Sequence, residues 1–180
     1  ATTEIYPLSL HDALPISAWV YLKPLLLDRG FPASEVAWIA GVGGGALGAL
    51  ASFAAGLVPR ALILRALPLS AGANVLALAL MAAAAGYGTQ AGLVAAAAFL
   101  AVAMGVASAL AFALMMEFAR DDWRAADYGL QASLFTFGRI AVAPPAGLLL
   151  DRLGYPGMLA ALAVAALAVA LLISANRQFE

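Results

Sequence analysis

The sequence contains no cysteine and, in 180 residues, a single histidine, His11. Disulfides, thiolate metal sites and cysteine nucleophiles are therefore excluded. Charge is scarce as well: 11% of the residues are Asp, Glu, Lys or Arg, against about a quarter in soluble domains. With a net charge of −1, no global field draws in nucleic acid or an acidic surface. No Gly-x-x-x-x-Gly-Lys-Ser/Thr phosphate loop occurs, so ATP hydrolysis is not expected. What remains is apolar, with 65% hydrophobic residues and a mean hydropathy of +0.98. A soluble fold of this length cannot hide so much apolar surface, so lipid is the expected solvent. The expected fold is an all-α membrane protein, an up-down bundle of transmembrane helices.

A membrane helix needs about 20 apolar residues. Five stretches qualify: residues 36–58, 61–85, 91–118, 125–150 and 156–174. A shorter apolar piece, 18–27, is broken by Lys23-Pro24 and reads as the tail of a sixth helix whose beginning is lost. The turns are legible. Asp28-Arg29-Gly30-Phe31-Pro32 ends the remnant, and Ser34-Glu35 is placed to cap the next helix. Gly86 to Thr89, Arg120 to Arg124 and Asp151 to Pro156 join later spans. Loop cations give the orientation. Arg60, Arg65, Arg120, Arg124 and Arg177 fall on one side, and Lys23, Arg29 and Arg152 on the other. The first side is expected to be cytoplasmic, which puts the carboxyl terminus in the cytoplasm of a multi-pass protein of the inner cell membrane.

Residues 1–17 differ from everything after them and show no helical period. They resemble a short-read sequencing adapter translated in one frame, with Pro7 where threonine is expected. A natural polar tail is the alternative. On the first reading the segment is a non-native artefact, domain 18–180 is the transmembrane bundle, and Glu4, His11 and Asp12 carry no chemistry.

Within the spans, Gly43, Gly45 and Gly48 have the spacing of a dinucleotide fingerprint. They lie inside an apolar span with no strand before them, which rejects that use. Gly44, Gly48, Ser52 and Gly56 recur every four residues. They form a smooth stripe on which another helix packs closely, and on which helices of transporters also slide. Arg139 lies 14 residues from Ala125 and 11 from Leu150, or roughly 16 to 21 Å from either helix end. An intramembrane charge usually faces an internal cavity and marks a function. It reads as a cationic contact for an anionic solute group, or as a structural arginine satisfied by carbonyls or a partner. Gln131 and Thr136 flank it at roughly 80° and 60° around the helix, giving a broad polar stripe that lines a path. Pro144-Pro145 removes two backbone donors, and a kink or break is expected there. Asn74 is a lone polar residue of the second span, read first as an interhelical hydrogen bonder and second as a substrate contact. Glu117, Arg120, Arg124 and Asp127 form a cytoplasmic charge cluster or gate. No metal site and no cofactor are expected.

Glu117 to Tyr155 resembles the muropeptide permease and siderophore permease branch of the major facilitator superfamily. The resemblance is carried by a short acidic-basic loop, by Asp127-Tyr128-Gly129-Leu130-Gln131, and by the turn from Gly147 to Tyr155, Gly-Leu-Leu-Leu-Asp-Arg-Leu-Gly-Tyr. Ala125-Ala126 stand where Gly-Thr is common. Leu27 to Glu35 is similar to the end of that fold's seventh helix, and the glycine-rich span to its eighth. The resemblance implies a twelve-helix fold of two six-helix halves, a central cavity and alternating access. This chain would be the second half, and its partners the bilayer, the missing amino-terminal half and a small solute. The competing expectations are a structural membrane subunit without transport, and a membrane-embedded enzyme. The latter lacks convergent bases or nucleophiles.

Overall fold

The structure, a computed structural model, describes residues 2–117 and 119–176, and the side chains of 13–59, 61–63, 65–117 and 119–172. Phe118 and Arg177 lie outside the described residues, as do the side chains of Glu4, His11, Asp12 and Arg60. Every regular element among the described residues is helical: α1 (Thr2–Asp28), α2 (Ala33–Val36), a π-helical stretch (Ala37–Gly43), α3 (Gly44–Gly56), α4 (Arg60–Tyr87), α5 (Gln90–Glu117), a 3-10 turn (Asp121–Trp123) and α6 (Arg124–Asn176). Alanine and leucine dominate these segments, and both are strong helix formers.

The breaks follow local chemistry. Gly30 (φ 82°) ends α1 in the left-handed region. Its N–H bonds the Leu27 carbonyl and that of Phe31 bonds Leu26, the paired pattern of a glycine-terminated helix. Phe31 then turns back into the core. Pro32, not Ser34 or Glu35, occupies the cap position of α2, and no side chain caps it. Proline fits there because it has no N–H to satisfy and its fixed φ suits a helix start. Thr89 caps α5 by accepting the Gly92 N–H at 3.1 Å.

Two expectations are corrected. Helix α1 does not begin near residue 18: it runs continuously from Thr2, and Ala13, Leu14 and Ser17 are buried. The helix propagates into residues 1–17 because each added residue costs less than a new nucleus. The interruption of α6 is not at Pro144-Pro145, where the backbone stays helical, but at Gly154 (φ 67°, ψ −178°). A proline loses a donor yet keeps a helical φ. A backbone at Gly154's angles is essentially closed to residues with a Cβ. Gly154 divides α6 into limbs of residues 124–153 and 155–176. Gly154→Ala should therefore cost about 1–3 kcal/mol, read as a lowered Tm in detergent. An unchanged Tm would mean that the limbs do not need this angle.

Among the described residues, four segments are long and apolar enough to cross a membrane: Ala33–Gly56, Arg65–Tyr87, Gln90–Glu117 and Asp121–Leu172. At about 1.5 Å per residue, the last of these, with 52 residues, is far longer than one bilayer crossing needs. The main core joins Leu22, Leu25 and Leu26 of α1, Leu78 and Met81 of α4, Leu93 and Leu100 of α5, and Met158, Leu159 and Leu162 of the second α6 limb. The outer surface is apolar too, with Phe53 71% and Phe137 70% exposed. One end of the bundle is tied by two long-range bonds. The Tyr155 hydroxyl donates to Asp28 at 2.8 Å, and the Gln90 amide donates to the Arg29 carbonyl at 3.1 Å.

Candidate functional site

The small residues of α3 set the site. A Cβ at Gly105 of α5 would overlap the Gly48 carbonyl oxygen, and one at Gly48 would lie 3.4 Å from the Ala101 oxygen. The two backbones are therefore in direct contact. Ser52 fastens the crossing by donating its hydroxyl to the Gly105 carbonyl at 2.7 Å. Gly44, just after the π-helical stretch, receives the ring of Trp19 from α1. Single π turns inside helices often accompany functional sites. Gly56 completes the four-residue spacing in sequence but meets nothing within 4 Å. It ends the helix instead of packing.

A cavity of about 220 Å³ lies beside this crossing. Gly44, Gly48 and Ser52 of α3, Met104, Gly105 and Ser108 of α5, Trp19 of α1 and Arg139 of α6 all line it. The first limb of α6 is positioned by α1. Tyr21 donates its hydroxyl to the Ala143 carbonyl at 3.0 Å, and a Cβ at Gly147 would sit 2.7 Å from that hydroxyl oxygen. Arg139 is half-buried, and its guanidinium carbon lies 5.5 Å from the centre of the Phe135 ring. Phe135 is itself anchored between Ala111 and Met115. Among the described residues no carboxylate pairs with Arg139.

Gln131 and Thr136 do not join Arg139 on the cavity wall. Thr136 is exposed and bonds the Ala132 carbonyl of its own helix at 2.9 Å. Gln131 is buried with its carbonyl oxygen unpaired. Angular offsets of 60° to 80° are enough to put neighbours on different surfaces once a helix is packed on two sides. Asn74 is 0% exposed, and neither its amide nitrogen nor its oxygen finds a partner. The expected interhelical bond is absent among the described residues.

At the opposite end from Tyr155, Arg120 grips Asp127 through two side-chain bonds of 2.8 Å and a backbone N–H bond of 3.0 Å. The Asp127 carboxylate raises the Arg120 guanidinium above its ordinary value. Arg124 pairs instead with Asp121, three residues before it. Glu117 closes α5. Both ion pairs are open to solvent on the arginine side, where water and salt screen such pairs. They lock the turn before α6 more than they stabilise the fold.

The sequence reading missed Trp19, Met104 and Ser108. Ser108 carried a signal, as a hydroxyl in the long apolar run of α5; Trp19 and Met104 carried none. No family model, curated protein or solved structure matches the chain.

Proposed function

We propose that the chain is the carboxyl-terminal half of a major facilitator superfamily secondary transporter. It would carry a small polar or anionic solute, of siderophore or muropeptide type, across the inner membrane by alternating access. The observation that carries this reading is Arg139, a cation with no carboxylate partner among the described residues, on the wall of an open cavity between apolar helices. Such a charge is costly in a membrane unless a ligand, a partner or water compensates it. On this reading the two α6 limbs count as separate spans. Five full spans and the end of α1 then make six helices, with the carboxyl terminus cytoplasmic. The glycine contact between α3 and α5 would let these helices shift as the cavity opens to either side.

Genomic DNA read upstream of the codon for Ala18 should supply six further spans in place of residues 1–17. Proteoliposomes holding both halves should then take up a ferric siderophore or an anhydromuramyl tripeptide, and those holding this chain alone should not. A start codon just ahead of Ala1, or uptake by the chain alone, rejects the reading.

A further inference from the structure

We propose that the exposed face of the first α6 limb, from Phe137 to Leu148, is covered by a transmembrane helix of the missing amino-terminal half, and that this helix presents a hydroxyl or amide donor to the Ala141 carbonyl. The inference rests on the transporter reading and deepens it by naming the contact face and the chemistry of its partner.

The adjacent prolines carry it. In a helix the carbonyl of one residue accepts from the N–H four residues on, or three residues on in a tighter turn. For Ala141 those residues are Pro145 and Pro144, and neither has an N–H. A lone proline leaves the second donor in place, but the pair removes both. The backbone nevertheless stays helical through them. The Ala141 carbonyl therefore has neither regular donor of its own helix.

Its depth makes this costly. Ala141 lies 17 residues from Arg124 and 12 from Leu153, roughly 25 and 18 Å from the ends of the limb. Hydrocarbon offers no donor there, and lipid-facing backbone groups must be satisfied within the protein. On the side facing α1 the fold supplies a donor, since Tyr21 gives its hydroxyl to the Ala143 carbonyl at 3.0 Å. For Ala141 no side chain does so among the described residues. The nearby hydroxyls of the limb are engaged higher up: Ser133 donates to the Gly129 carbonyl at 2.8 Å and Thr136 to that of Ala132 at 2.9 Å. Phe137, Ile140, Ala141, Pro144 and Leu148 are all exposed and share one stripe at helical spacing. A stripe with apolar side chains and one acceptor near its centre fits a second helix that carries Ser, Thr, Asn or Gln at the crossing. Lipid would cover the side chains and leave the carbonyl unpaired.

The test uses spin labels on single cysteines, which the chain otherwise lacks. Phe137→Cys and Ile140→Cys report the stripe, and Val164→Cys, similarly exposed on the second α6 limb, is the control. Accessibility is read in nanodiscs with molecular oxygen, which concentrates in lipid, and with a nickel chelate, which stays in water. In the chain alone all three labels should meet oxygen. Adding the upstream half should cut oxygen access severalfold at both stripe labels and leave the control unchanged. Pro145→Ala restores an N–H to the Ala141 carbonyl. It should raise the Tm of the chain alone and weaken association of the halves about threefold, the loss of one interhelical hydrogen bond. Pro68→Ala, which restores a donor within α4, should leave association unchanged. If the halves take up solute together while the stripe labels stay as oxygen-accessible as the control, the inference fails and the transporter reading stands. The same holds if the stripe opens to the nickel chelate, which makes it the wall of a water path. It holds too if stripe labels couple between copies of the chain alone, or if Pro145→Ala and Pro68→Ala associate alike. If no spans are encoded upstream, the transporter reading itself falls and the inference with it.

Discussion

On the proposed transporter reading, Arg139→Ala is expected to abolish uptake of anionic solutes by the two halves together while leaving the bundle folded. Two opposing terms make the stability change small. Removing the side chain forfeits its contact with the Phe135 ring, worth about 0.5–2 kcal/mol. It also removes a half-buried cation that no carboxylate compensates among the described residues, which is favourable in an apolar surround. Binding has no such offset. A hydrogen bond to a charged group contributes about 1.5–3 kcal/mol, so affinity for an anion should fall roughly 10- to 150-fold. Arg139→Lys keeps the charge and loses the planar fork, so it should recover only part of the affinity. Phe135→Leu keeps the arginine but removes the ring on which it rests, and should weaken binding less than Arg139→Ala. The measurements are uptake of an anionic solute and Tm on the same preparations. Uptake unchanged in Arg139→Ala would remove the arginine from the solute path. A collapse of Tm alongside uptake would make it a structural arginine.

The helices were legible because apolar runs and Gly-Pro turns are local signals. The expected spans 61–85 and 91–118 lie within two residues of α4 and α5 at each end. Legibility failed where a local signal needed a neighbour to decide its effect. Pro144-Pro145 promised a break, but the backbone stays helical through both, since a proline loses a donor yet keeps a helical φ. Gly154 makes the break because only its backbone reaches the required angles. At the site, Arg139 and the stripe of Gly44, Gly48 and Ser52 were each visible in the sequence. Their meeting at one cavity was not, since it depends on how α3, α5 and α6 cross. Gln131 and Thr136 were grouped with Arg139 by helical angle alone. Burial of Gln131 and exposure of Thr136 separate them. Asn74 showed the reverse: its polarity was noted, but its lack of a partner is a property of the whole bundle.

Gly105→Val should be the most damaging single substitution in the crossing of α3 and α5. The added Cβ alone would overlap the carbonyl oxygen, carbonyl carbon and Cα of Gly48, all backbone atoms that cannot rotate away. The helices must then separate along their length, because both are rigid there. Overpacking of this kind costs about 1–3 kcal/mol and more where backbone must move. Separation also breaks the Ser52 bond to the Gly105 carbonyl, an interhelical bond of a class that averages about 0.6 kcal/mol in a membrane. Gly72→Val is the control, since a Cβ there meets nothing within 4 Å. Thermal unfolding of both variants in detergent should show a large loss for Gly105 and a small one for Gly72. Because Gly105 and Gly48 also line the Arg139 cavity, Gly105→Val should reshape the site as well as loosen the fold. Gly105→Ala, with the same first clash and less bulk, should show the milder form of both effects. Equal losses at Gly105 and Gly72 would mean that the two backbones do not touch, and the cavity beside them would lose the wall on which the Arg139 reading depends.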